Sequence, residues 1–203
     1  PDGAWPIDSN LSTWLTTLSV NALAAGGGIS SILDEPRRLA IHKWLIASQF
    51  RTAHPYTNSP PGGWGWTDLP GAVPDADDTA GVLCALKALG FKREETAEAA
   101  EAGIRWLLHL QNSDGGIPTF CRGWGRLHFD QSSPDITAHT VKAFSIWKDE
   151  MPSALKVEIE ASAVECINFL SVRQNPDGSW TPLWFGSDDA PDCENRVFGT
   201  SQV

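Results

Sequence analysis

An all-α arc of an α/α toroid, of the α6/α6-barrel type, is the fold class that this 203-residue sequence predicts. Three observations predict it. The chain repeats itself at a period close to 60 residues, each repeat reads as two helices and a Gly-rich loop, and the two helices of a repeat differ sharply in charge. Units of this length bury their apolar faces only by stacking on neighbours, so they build solenoids or rings.

The first helix of each repeat is LSTWLTTLSVNAL from Leu11, DADDTAGVLCALKAL from Asp75 and SPDITAHTVKAF from Ser133, and a fourth copy, GTSQV, starts at Gly199. Thr16, Thr79, Thr137 and Thr200 mark equivalent positions, at steps of 63, 58 and 63 residues. A second helical pattern lies between them, in which Trp44, Trp106 and Phe169 recur at steps of 62 and 63. Loops close the repeats: PDGAW at Pro1, PPGGWGW at Pro60, QNSDGG at Gln111 and QNPDGSW at Gln174. Pro-Asp-Gly in the last is a turn signal, and Trp180 is expected beneath the preceding helix end, stacked with the loop glutamine as a staple between repeats.

The segment EETAEAAEAGIRWLLHLQ, Glu94 to Gln111, keeps its acids on one side of a 3.6-residue period and Trp106, Leu107 and Leu110 on the other, which places it on an outside. By contrast, LSTWLTTLSVNALAA and TAGVLCALKAL carry almost no charge after their first turn, so they are expected to be covered all round or to face a cavity. Inner helices paired with outer ones at a fixed period imply a ring whose inner helices start at a common rim. Residues 1–203 read as a single domain, an arc of about three helix pairs interrupted at both ends.

Composition narrows the function classes. A formal charge of -10 without any Lys/Arg cluster speaks against a nucleic-acid partner. No apolar run approaches the roughly 20 residues of a membrane span, and PDGAWPIDSN has no signal-peptide pattern. Cys84, Cys121, Cys166 and Cys193 share no CxxC spacing and read as reduced, mostly buried thiols of a cytosolic protein. Ten tryptophans against one tyrosine demand a large core or an aromatic-lined cavity.

The chemistry concentrates at Asp75, Asp77 and Asp78, which run straight into an apolar helix. Helix caps and first-turn acids account for single aspartates at such places. One cap needs one residue, however, and the equivalent positions of the other repeats are not acidic triplets. Crowded carboxylates cannot all ionise, so a proton is retained at neutral pH, while the helix N-terminus stabilises the anion left after its release. Aligned through the threonines, Asp135 matches Asp77 on the neighbouring inner helix, and His139 lies one turn deeper on the face of Asp135. The Asp-Asp-x-x-Asp spacing for magnesium is absent and no glycine turn completes a calcium loop, so no metal is expected here. His42, His54, His109 and His128 show no paired spacing and read as surface or loop residues.

Together, GGWGWTDLPGAVPDADDTAGVLCAL from Gly62, QNSDGGIPTF followed by PDITAHTVKAF, and QNPDGSW followed by VFGTSQV resemble the squalene–hopene cyclase family, the class II terpene cyclases, over nearly the whole chain. The resemblance implies the front part of a catalytic α/α barrel that protonates a folded polyprene and steers a carbocation into rings, with no cofactor and no metal. It implies Asp77 as the proton donor, held and polarised by Asp75 and Asp78. His139 would raise the acidity of Asp77, and Asp135 would order water for reprotonation. Trp14, Trp66 and Phe120 stand at substrate-facing positions, with tryptophan and phenylalanine where hopene cyclases often carry phenylalanine and tyrosine. Leu15 stands where the family often places an aspartate after the tryptophan. The implied partners are an isoprenoid substrate, the rest of the toroid, and a membrane contacted peripherally on its inner face.

Three other readings carry less. A diterpene cyclase would need a basic patch for a prenyl diphosphate, and a protein prenyltransferase toroid would need a zinc site of which only Asp192 and Cys193 are in place. A toroid serving only as a binding scaffold leaves the acidic triplet unexplained. The open ends of an arc should expose apolar faces that favour self-association. Light scattering on the 203-residue chain is expected to give a mass above that of the monomer; a clean monomer would contradict it.

Overall fold

A computed structural model describes residues 10–121 and 130–203; the loop at Pro1 and His128 lie outside the described residues. Among the described residues eight α-helices follow in order: α1 (Ser12–Ala25), the short α2 (Ile29–Ile32), α3 (Glu35–Ala47), α4 (Ala76–Leu89), α5 (Glu94–Leu110), α6 (Pro134–Trp147), α7 (Ser153–Arg173) and α8 (Arg196–Gln202). Helix α1 packs on α4, α4 on α6 and α6 on α8, while α3, α5 and α7 lie against them and against one another. This is an arc of an α/α toroid, with α1, α4, α6 and α8 as the inner layer and α3, α5 and α7 as the outer one.

The recurring threonines set that arrangement. Thr79 Oγ1 donates to Asp75 O at 2.6 Å and accepts from Trp64 N at 2.9 Å. Thr137 does the same with Ser133 O and Ile117 N, and Thr200 with Arg196 O and Trp180 N. Each hydroxyl therefore ties the first turn of an inner helix to the loop arriving from the previous repeat. The levels of α4, α6 and α8 are each fixed by their own loop.

Loop glutamines act between repeats. Gln49 Nε2 donates to Gly62 O of its own loop at 2.7 Å and to Ala99 O of the next outer helix at 2.9 Å. Gln111 Nε2 repeats the pattern with Gly115 O and Ser162 O. The staple is thus a pair of hydrogen bonds to backbone. The tryptophans hold the preceding outer helix: Trp64 Nε1 donates to Leu45 O and Trp180 Nε1 to Leu170 O, at 2.7 and 2.8 Å. Gly103 makes room for Trp64, since a Cβ there would lie 2.8 Å from the indole ring.

Helix α4 is the centre of the core, buried along almost its whole length from Ala76 to Leu89. Helix α5 is amphipathic as expected, with Trp106, Leu107 and Leu110 buried. Helix α1 takes the cavity-facing alternative. Thr13, Thr17 and Val20 are buried on it, Trp14, Thr17, Leu18 and Asn21 line a cavity, and Leu15 is exposed. Cys84, Cys121 and Cys166 are buried free thiols, whereas Cys193 is exposed. Two histidines correct the surface reading: His42 is buried on α3 with Nε2 2.8 Å from Thr96 Oγ1, and His54 is buried in its loop against Ala72 O. His54 Nδ1 is also bonded by Thr57 N and Oγ1, and partners that are hydroxyl or backbone groups give neither histidine a pairing signature in sequence. His109 is exposed on α5. No described helix is long and apolar enough to cross a membrane.

Replacing Gln49 by leucine strands two buried carbonyls and is expected to cost about 1–3 kcal/mol. The measurement is urea unfolding, where a midpoint unchanged from the parent chain would remove the staple from the argument.

Candidate active site

At the entrance of α4, Asp75 is the helix cap. Its Oδ1 accepts from Asp78 N at 2.7 Å, and its backbone is held by Trp64 O. Asp75 Oδ2 and Asp78 Oδ1 are buried without a hydrogen-bond partner. Burial first, and the charge of Asp78 second, push Asp75 well above the carboxylate range. Burial and the charge of Asp77 raise Asp78 to about 7. The retained proton of this cluster therefore belongs to Asp75 and Asp78, as one coupled pair.

Asp77 is arranged in the opposite way. Its Oδ2 accepts from Trp14 Nε1 of α1 at 3.0 Å, and its Oδ1 lies 2.8 Å from His139 Nδ1 of α6. Burial opposes its ionisation, but the hydrogen bond and charge of His139, aided by the indole, overcome it and lower its pKa. Burial likewise disfavours the imidazolium, and the Asp77 carboxylate overcomes that too, raising His139 to about 10. At neutral pH the two form an ion pair with both carboxylate oxygens engaged. Asp77 and His139 keep 26% and 22% of their side-chain surface exposed. That surface opens on a cavity of about 280 Å³ between the inner helices, lined also by Trp14, Thr17, Asn21 and Lys142.

Asp135 stands at the level of Asp77 on α6, as the register predicts, but it does not touch it. It is buried, one carboxylate oxygen is bound by Ser133 Oγ, and burial raises its pKa. Trp66 and Phe120 meet edge to face, with ring centroids 6.2 Å apart, and belong to an aromatic row that is not part of this cavity's lining. That row continues to Trp184, whose ring centroid lies 6.4 Å from that of Phe120 and whose Nε1 donates to Thr119 Oγ1. Sequence reasoning missed Trp184. Its signal was available: it follows the loop at Gln174 as Phe120 follows the loop at Gln111. Asp192 is bound by Arg196, and among the described residues no group of three or more His, Cys, Asp or Glu side chains is arranged around a metal position.

A family model for the squalene–hopene cyclase C-terminal domain matches residues 11–203. The chain belongs to the squalene–hopene cyclase family. Squalene–hopene cyclase of Alicyclobacillus acidocaldarius is 30% identical over 223 residues, taking in 99% of this chain and 32% of that protein. Drimenyl diphosphate synthase of Streptantibioticus cattleyicolor is 29% identical over 202 residues, with 99% and 33% covered. Sporulenol synthase of Bacillus subtilis reaches 44% over 122 residues, covering 56% of this chain and 17% of that one. The chain spans about a third of the length of the curated relatives that match it throughout. Among solved structures, the type II terpene cyclase MstE from Scytonema superposes with a TM-score of 0.61 at 17% identity, covering 94% of this chain and 47% of that one. A variant of MstE in complex with geranylgeranyl dihydroxybenzoate superposes with a TM-score of 0.60. At these identities the structures speak for the fold, and the squalene–hopene cyclase fold here is the toroid arc described above.

This squalene–hopene cyclase chain has a distinctive proton inventory. The folded state holds Asp78 protonated up to about pH 7, where the unfolded side chain would ionise at 3.8. It holds His139 protonated up to about pH 10, where the unfolded ring would lose its proton at 6.5. The native state therefore binds more protons than the unfolded chain from pH 3.8 to about 10, and stability falls as pH rises through that window. Urea midpoints measured against pH should show this slope. Asp78→Asn should flatten its lower part, up to about pH 7, and Asp77→Asn its upper part, between 6.5 and about 10.

Proposed function

We propose that this chain carries the proton-donating acid of a class II terpene cyclase that cyclises a squalene-like polyprenyl hydrocarbon, and that Asp77 is the donor. The observation that carries the reading is the double engagement of Asp77 by Trp14 and His139, beside a carboxylate pair that keeps its proton. An acid is strong when its conjugate base is stabilised, and the geometry described is that of the conjugate base.

In the reaction the Asp77 O–H bond breaks as the terminal alkene's electron pair forms a new C–H bond. The adjacent carbon becomes a tertiary cation, which each following alkene attacks in turn, closing rings until a proton is lost. Asp77 is left as the carboxylate, its two oxygens accepting from the Trp14 indole and the His139 imidazolium. Asp75 and Asp78 supply the neighbouring proton for reloading, and Asp135 holds water on its way there. The row of Trp66, Phe120 and Trp184 offers electron-rich faces to a developing cation, a contribution on the order of 1–2 kcal/mol per well-placed ring. We assign this activity to a complete toroid, in which further helices close the cavity against water, and expect the 203-residue chain alone to be inactive. An apolar substrate of this kind is drawn from a lipid phase, so the complete enzyme is placed at the inner face of a membrane.

A second reading has a specific observation in its favour. Drimenyl diphosphate synthase matches the chain as fully as squalene–hopene cyclase does, which makes a prenyl diphosphate the alternative substrate of the same acid.

A longer protein containing this chain, incubated with squalene and in parallel with farnesyl and geranylgeranyl diphosphates, should yield cyclic products from squalene by gas chromatography and mass spectrometry. Asp77→Asn should lower turnover by about 10²–10⁴-fold, the usual worth of a general acid. Cyclisation by the 203-residue chain alone, or unaltered turnover with Asp77→Asn, would sink the proposal; products from a diphosphate alone would favour the second reading.

A further inference from the structure

Helix α4 presents three residues in one line toward α6: Asp77, Gly81 four residues on and Cys84 three beyond that, spaced as a single face of an α-helix. His139 lies over this line. Its Nδ1 is on Asp77 Oδ1, and a Cβ placed on Gly81 would sit 3.6 Å from its Cε1. The imidazole therefore runs along α4, with Nδ1 at the Asp77 end, Cε1 above the glycine, and Nε2 at the end where Cys84 stands. Cys84 is buried and free, and it closes that end of the ring away from the cavity, whose lining does not include it. A thiol sulfur is a weak acceptor, suited to the second N–H of an imidazolium.

We infer that Cys84 is a positioning residue for His139, holding the Nε2 edge of the ring so that the Nδ1 edge stays on Asp77. The arrangement is a thiol–imidazole–carboxylate line along one helix face, in which the ring passes over Gly81 and Cys84 is the far stop. Its importance for cyclisation rests on Asp77 being the proton donor; the positioning itself does not. Consistent with the geometry, the Cys84 thiol joins Asp77 in favouring the charged ring against the cost of burial.

Helix α4 contributes Asp77, Asp78 and Cys84, its own helix contributes Asp135 and Lys142, and the terminal carboxylate of Val203 lines the same cavity, whereas Trp14 and Thr17 of α1 and Gln202 of α8 do not titrate. The experiment reads the ring directly. Histidine-labelled chain, as the parent, Cys84→Ala and Cys84→Ser, is titrated by ¹⁵N NMR, with His42, His54 and His109 as internal references and thermal melts to verify the fold. The expected result for Cys84→Ala is a downward shift of the His139 midpoint by about one pH unit, a tenfold loss of proton affinity, with a displaced Nε2 resonance and unmoved reference histidines. Cys84→Ser keeps an acceptor and should restore most of the shift. An His139 midpoint in Cys84→Ala equal to the parent's overturns the inference, and so does Cys84→Ser behaving as Cys84→Ala, which would make the thiol a packing group only. Neither outcome depends on turnover, so failure here is separable from failure of Asp77 as the acid.

Discussion

The threonine hydroxyl that joins each inner helix to the loop before it is the constraint on which the site depends. By accepting from the loop and donating within the helix, Thr79, Thr137 and Thr200 set the heights of α4, α6 and α8 relative to their repeats. Two residues before each threonine marker comes one common level of the arc, occupied by Trp14, Asp77, Asp135 and Phe198. Asp77 is reached at that level by Trp14 from one neighbour, and from the other by His139, one turn deeper. A shift of one residue in any loop tie would turn these side chains by about 100° around their helices. The glutamine staples then keep successive outer helices at matching heights, so the inner register survives from repeat to repeat.

On that scaffold, three carboxylates within four residues are driven to different protonation states. Asp75 and Asp78 share one dry corner with orphaned oxygens, and burial keeps a proton there. Asp77, one residue away, has donors on both oxygens and sheds its proton. The cap geometry of Asp75 is part of this separation: by binding Asp78 N it draws the first and third acids together and leaves the second to face α1 and α6. A helix start satisfied by one aspartate thus becomes a place where two more can be sorted by environment.

Much of this was legible in the residues because repetition makes register visible. The spacing of Thr79 and Thr137 placed Asp77 and Asp135 at one height, and it put His139 on the right face. What repetition does not convey is which neighbour a side chain reaches. Trp14 reads as an aromatic for substrate, yet its indole N–H is spent on Asp77. Asp135 reads as a partner of Asp77, yet Ser133, two residues away, captures its carboxylate. His42 and His54 were illegible for a related reason: a buried histidine held by a hydroxyl or a backbone carbonyl of another segment leaves no spaced signature. The loop glutamine was correctly read as a staple but not its means, since backbone carbonyls of another repeat have no side-chain identity to read.

Leu15 remains the informative departure. Its side chain is more than half exposed at 54% and stands outside the lining of the cavity on which Asp77 opens. The balance at Asp77 is struck between burial, which opposes the anion, and His139 and Trp14, which favour it and prevail. On the proposed reading, the ion pair is the conjugate-base form of the acid, and the proton retained at Asp75 and Asp78 is what reloads it. Closing the cavity against water would favour that step, because a drier site raises the cost of leaving Asp77 charged.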